Sequence, residues 1–180
     1  MDQEELLLYE AFANHAIDNL FWSLSYINNV AFNTPMKTDI QKKLINLNQA
    51  YELLISGIYP AEKGQELIRL AASHNQLFIA YVDHLFQNSG QTAQIKQKWK
   101  ENGQQIAQAL SKMNHYWMVA EWAAMINHES DLLETIAINM KDKKYMTFIN
   151  TAPVCRRLAI DMSKYMCGGI TKQRQDTWNT

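Results

Sequence analysis

Residues that interrupt regular structure are scarce in this chain of 180 residues, which has only six glycines and three prolines. Apolar residues recur at helical spacing nearly everywhere, and no stretch alternates long enough to indicate a strand. A hydrophobic fraction of 47% excludes a disordered chain. We therefore predict an all-α fold, an antiparallel helix bundle that forms one domain over residues 1–180, with residues 172–180 as a frayed tail.

An excess of either charge is also lacking, because the chain has 17 Lys and Arg residues and 18 Asp and Glu residues. No nucleic-acid partner is therefore predicted. The apolar stretches are broken by polar residues, and no basic segment opens the chain, so neither a membrane span nor an export signal is expected. The only cysteines are Cys155 and Cys167. On one helix they would lie about 18 Å apart, beyond disulfide reach. We expect two reduced thiols and a cytoplasmic protein.

The few helix-breaking signals divide the chain into helices. Helices are predicted over about residues 3–28, over a short stretch after residue 38, and over about 48–59, 61–88, 92–113, 116–140 and 144 or 150 to 166. The two pieces between residues 38 and 59 are expected to form a lateral two-helix connection. Glycine in Ser89-Gly90 is predicted to take the left-handed conformation, and Gly168-Gly169 to end the last helix. Pro153 should lie in the first turn of that helix or kink it.

Three histidines lie on the apolar stripes of long helices. His15, His74 and His128 each have apolar residues three and four positions away, so each is predicted to be directed inward. Residues 9–18 align without gaps with residues 122–131 and share Ala, Asn, His and Asp; residues 68–77 are a weaker third copy. Because antiparallel packing can bring mid-helix positions to one level, we predict that the three histidines converge at the centre of the bundle.

Carboxylates accompany two of these histidines. Asp18 and Asp131 follow His15 and His128 by three residues, and Glu121 precedes His128 by seven. Imidazole with carboxylate suits zinc, iron, manganese or nickel. The predicted metal site comprises His15, His74, His128, Asp18, Asp131 and Glu121.

The alternative is that each histidine bonds only to its own helix, as His15 to Asp18 would. The protein would then be a non-enzymatic structural or interaction bundle. No glycine-rich phosphate loop is present, so no nucleotide is expected. Whether the protein is an enzyme, which small-molecule substrate it would take, and whether it forms a homodimer are left open.

Several short runs resemble a family of small all-helical bacterial proteins, found largely in Firmicutes and of unknown function. These runs are EAFANH at 10–15, LAASH at 70–74, WKENGQQI at 99–106, MNHYW at 113–117, EW at 121–122 and NH at 127–128. The resemblance places His15, His74, Trp99, Trp117 and His128 on family positions and implies a helix bundle, distantly like DinB-type or ferritin-like metal-binding bundles. Some such proteins are labelled acetylglutamate kinase. That activity would need an α/β sheet with glycine-rich loops, which this sequence lacks.

Overall fold

A computed structural model describes residues 3–178, and within this range it contains six helices and no strand, which confirms the predicted all-α class. The helices are α1 (Gln3–Ala31), α2 (Lys37–Ser56), α3 (Ala61–Phe86), α4 (Thr92–Met113), α5 (Val119–Lys141) and α6 (Met146–Trp178). The predicted boundaries of α1, α3, α4 and α5 agree within about three residues, the usual uncertainty of helix ends. None of the described helices is long and apolar enough to cross a membrane.

The three odd-numbered helices form the inside of the bundle. α1, α3 and α5 contact one another, while α2 packs between α1 and α3, α4 between α3 and α5, and α6 between α5 and α1. Connections of four or five residues join consecutive helices, so each pair runs antiparallel. Each inner helix thus forms a hairpin with the outer helix that follows it, and the three inner helices form a triangle at the centre of the bundle. These inner helices are the ones that carry the three similar segments of the sequence.

The inner helices also end in the same way. Asn33, Asn88 and Lys143 follow α1, α3 and α5 with φ of 49°, 56° and 62°. In each case the next residue donates its N–H to a carbonyl five residues back, as Ser89 does to His84 at 3.0 Å. This is the Schellman arrangement, which satisfies carbonyls at the helix end. The left-handed residue after α3 is therefore Asn88, and the prediction of a left-handed Gly90 was wrong.

The segment predicted as a lateral two-helix connection is one continuous helix, α2, and that prediction was wrong. Ile40, Leu44, Leu47 and Ile55 are all buried on its face, and no glycine or proline lies between Lys37 and Ser56. A single apolar stripe at spacings of four, three and eight keeps the whole helix packed on α1 and α3. α2 is accordingly a full member of the bundle.

The last helix does not end at Gly168-Gly169, as predicted, but continues to Trp178. A Cβ on Gly169 would lie 2.0 Å from Nε1 of Trp117, whose indole is fully buried and donates to the Met166 carbonyl at 3.2 Å. Gly169 therefore allows the indole to lie against the helix backbone, and it does not act as a cap. Residues 172–178, predicted as part of a frayed tail, belong to α6 in the structure, and residues 179–180 lie outside the described range. Pro153 lies inside the helix, beyond its first turn.

Candidate functional site

A cavity of about 170 Å³ lies between the helices and is lined from all six of them. Its wall is mostly apolar. The apolar lining residues are Phe12, Ala16, Leu67, Ala71, Ile106, Leu110, Trp122, Ile126, Ala159, Met162 and Met166. The polar ones are His15, Asn19, Asn48, Tyr51, His74, Asn75, Glu129 and Ser163. An apolar cavity with a few polar groups on its wall is the usual form of a small-molecule site.

One set of polar groups is satisfied by the protein itself. The Trp99 indole donates to Nε2 of His74 at 3.0 Å, so that nitrogen must be the acceptor and Nδ1 must carry the proton of the neutral ring. Nδ1 then donates to Oδ1 of Asn102 at 2.8 Å. Asn102 in turn donates to the Leu70 carbonyl at 3.2 Å. Both ring nitrogens of His74 are therefore engaged, and its only lone pair is in use.

The asparagines of the wall form a second satisfied set. Asn19 donates to Asn75 at 3.4 Å, and Asn75 donates to Asn48 and to the Leu44 carbonyl, each at 3.4 Å. The Ser163 hydroxyl donates to a carbonyl of its own helix at 2.8 Å. Such bonds offset the cost of burying amides and hydroxyls. The asparagine bonds also connect α1, α2 and α3.

A different set of polar groups has no hydrogen-bond partner among the described residues. The His15 ring is stacked on Tyr51, with 5.2 Å between centroids, but neither side chain makes a hydrogen bond. Glu129 has neither an ion pair nor a hydrogen bond with a described group. Nε1 of Trp122 is a buried donor without a partner. All four residues line the same cavity.

Burial sets the charge state of this cavity. It lowers the pKa of His74 to about 4, and it lowers the pKa of His15 more than nearby Asp18 raises it. Burial also raises the pKa of Glu129 to about 7 and raises that of Tyr51. No lysine or arginine is among the lining residues. Near neutral pH the wall therefore carries no positive charge and at most the single negative charge of Glu129.

The structure brings together only part of the predicted metal-binding set. His15 and His74 share the cavity wall, but His128 is exposed and does not join them. The carboxylates Asp18, Glu121 and Asp131 are likewise exposed, and Asp131 pairs with Lys100 at 2.7 Å. Among the described residues, no group of three or more His, Cys, Asp or Glu side chains is arranged to hold a metal ion. Cys155 and Cys167 are both buried and free, as predicted.

Glu129 was not predicted, although it is adjacent to His128. On a helix, one residue corresponds to a rotation of about 100°, so His128 and Glu129 lie on different faces. The buried stripe of α5 contains Trp122, Ile126 and Leu133, and Glu129 continues this spacing. The stripe assigned to His128 contains Ala124, Met125 and Leu132, none of which is fully buried. Weighting each stripe by side-chain size would have favoured the face of Glu129.

The chain was compared with family models, curated proteins and solved structures, and none of them matches it.

Proposed function

We propose that this protein binds a small, largely apolar molecule in the cavity between its helices. The observation that carries this proposal is the division of the polar wall. His74, Asn75 and Ser163 are satisfied within the protein, whereas Glu129 and His15 are not. Glu129 and His15 are half-buried cavity residues, and a ligand could supply the hydrogen bonds that the described protein groups do not.

The volume of the cavity limits the size of the ligand. A cavity of roughly 150 Å³ lined by apolar residues takes up benzene, so the 170 Å³ found here suits a molecule of about six to ten non-hydrogen atoms. A cavity of this volume is too small to enclose a nucleotide or haem. The apolar part of the ligand would pack against side chains such as Ile106, Leu110 and Met162, and its polar group would reach Glu129 or His15.

Filling the cavity tests this proposal. Ala159 lines the cavity and is 3% exposed, so Ala159→Leu places three more carbon atoms against the space a ligand would occupy. Ala124 on α5 is exposed, and Ala124→Leu is the matched control. Binding of a set of benzene-sized molecules would be followed by two-dimensional NMR of labelled protein. We expect binding to wild type and to Ala124→Leu, with shifts at cavity residues, and loss of binding in Ala159→Leu. Equal binding to all three proteins would overturn the proposal.

Transition-metal binding by the histidine set stays a prediction. His15 and Glu129 have unengaged ligating atoms on one wall, but a metal on His74 would have to displace the Trp99 indole N–H from Nε2. Metal analysis of protein purified without an affinity tag is the direct measurement. A bound cavity metal predicts that His15→Ala lowers the metal content and that exposed His115→Ala does not. Wild-type protein with far less than one ion per chain would count against it.

We also propose a cytoplasmic location. Its support is that both cysteines are buried as free thiols on one helix, as expected for a reducing compartment. Thiol titration of freshly prepared, denatured protein without reductant should find two thiols per chain.

A further inference from the structure

Only one side chain on the cavity wall can carry charge near neutral pH. The titratable lining groups are His15 on α1, Tyr51 on α2, His74 on α3 and Glu129 on α5. Neither α4 nor α6 contributes a titratable group to the wall, although Cys155 of α6 lies near enough to Glu129 for its thiol to be affected by that charge. Burial keeps both histidines and the tyrosine neutral. The carboxylate of Glu129 therefore decides which ligand charge is accepted.

Each class of ligand can be weighed against this wall. A carboxylate or phosphate could accept from the Trp122 indole N–H, but it would be repelled by ionised Glu129 and would meet no lysine or arginine. A neutral molecule would leave the ionised form of Glu129 without a counter-ion in a half-buried position, which is unfavourable. A cation would pair with it and remove that cost. A second positive charge would find no second carboxylate among the lining residues.

We infer that the ligand is a small organic monocation, an amine with a compact apolar body, whose ammonium group pairs with Glu129. This inference rests on the proposed function, since it names the ligand class of the same cavity.

The aromatic part of the cavity wall also suits such a cation. The stacked pair of His15 and Tyr51 and the indole of Trp122 line the cavity with aromatic surface. Aromatic faces attract cations electrostatically, most strongly where water is excluded. The remaining lining, including Ile106, Leu110 and Met162, matches the apolar body. One end of the ligand would thus be held by charge and the other by apolar contact.

Binding of such a ligand must depend on pH in a defined direction. Burial raises the pKa of Glu129 to about 7, so below this pH the carboxyl is mostly protonated and cannot pair with an ammonium group. The affinity should rise as pH increases and level off above about 7, provided the amine stays protonated. Between pH 5.5 and 7.5 a single group with this pKa gives an increase of about 20-fold.

Three isosteric probes separate the ligand classes. Benzylamine, benzyl alcohol and benzoate have nearly the same shape and differ in charge. Dissociation constants would be measured by NMR titration at pH 7.5 with wild type, Glu129→Gln and Glu52→Gln, the last being an exposed glutamate on α2. We expect wild type to bind benzylamine at least about tenfold more tightly than benzyl alcohol, because charge-assisted hydrogen bonds are stronger than neutral ones. Benzoate should bind most weakly.

The variants make the outcome decisive. Glu129→Gln should reduce benzylamine binding to the level of benzyl alcohol and abolish its pH dependence, while Glu52→Gln should resemble wild type. Benzyl alcohol binding as tightly as benzylamine, or benzylamine binding unaffected by Glu129→Gln, would overturn the cation assignment but leave cavity binding intact. Binding of none of the three probes would overturn the proposed function itself, and the inference with it.

Discussion

Replacing Gly169 by alanine should destabilise the protein, whereas replacing its neighbour Gly168 should not. The new Cβ at position 169 would lie 2.0 Å from Nε1 and 2.4 Å from Cδ1 of Trp117, so the indole would have to move by more than about 1 Å. No atom lies within 4 Å of a Cβ at position 168. The two substitutions are chemically identical and adjacent on one helix, but position 169 is buried against Trp117 whereas position 168 is exposed.

The magnitude follows from what the indole would lose. Overpacking a buried site costs about 1–3 kcal/mol. Losing the bond from Trp117 to the Met166 carbonyl costs about 1–3 kcal/mol more. Alanine stabilises a helix by about 1 kcal/mol relative to glycine, which offsets part of this loss. We therefore expect Gly169→Ala to lower the free energy of unfolding by about 1–5 kcal/mol, and Gly168→Ala to raise it by about 0.5–1 kcal/mol.

Thermal and urea denaturation, followed by circular dichroism, would measure both effects. For a chain of this size each 1 kcal/mol corresponds to about 2–4 °C in Tm, so Gly169→Ala should lower Tm by about 2–20 °C. The double variant Trp117→Leu with Gly169→Ala should cost less than the sum of the single changes, since the smaller side chain removes the clash. An equal rise in stability for both glycine variants would refute the close approach of Trp117 to α6.

Two further predictions concern Glu129 and the helix ends. The pKa of Glu129 is raised from 4.5 to about 7, so this carboxyl does not destabilise the folded state below pH 4.5 and destabilises it fully above pH 7. Glu129→Gln should remove this destabilisation. The free energy of unfolding of the variant, relative to that of wild type, should therefore rise by at most about 3 kcal/mol between these two pH values. A flat difference in urea denaturation, as expected for exposed Glu52→Gln, would contradict the burial of this carboxyl. Lys143 has a φ of 62°, which asparagine tolerates better. Lys143→Asn should therefore raise the free energy of unfolding by about 0.5–1 kcal/mol and raise Tm. Asn88→Lys, the opposite change at the equivalent position after α3, should lower Tm.

Helix number and position could largely be predicted from the sequence, because apolar spacing reports which residues face a core. Two errors arose where glycine was interpreted only as a helix end, whereas the division of α2 into two pieces did not, since no glycine lies within that helix. Gly168 and Gly169 lie inside α6, and the requirement at Gly169 comes from Trp117, about fifty residues away in the chain. No local pattern around Gly169 contains that contact. Likewise, the left-handed position after α3 is Asn88 and not the glycine two residues later, since both residue types can adopt this conformation.

The candidate site could be predicted only in part, and the reason is the hydrogen bonding of each group. His15 and His74 occupy similar places on similar helices, and both were correctly expected to face inward. Yet His74 is engaged by Trp99 and Asn102, which belong to the next helix, while His15 has no hydrogen-bond partner among the described residues. Residues of other helices therefore decide whether an inward-facing side chain keeps an unpaired donor or acceptor. That distinction, together with the one-residue register that turns Glu129 inward, is why the cavity wall contains a carboxylate and two of the three histidines, and not a cluster of all three.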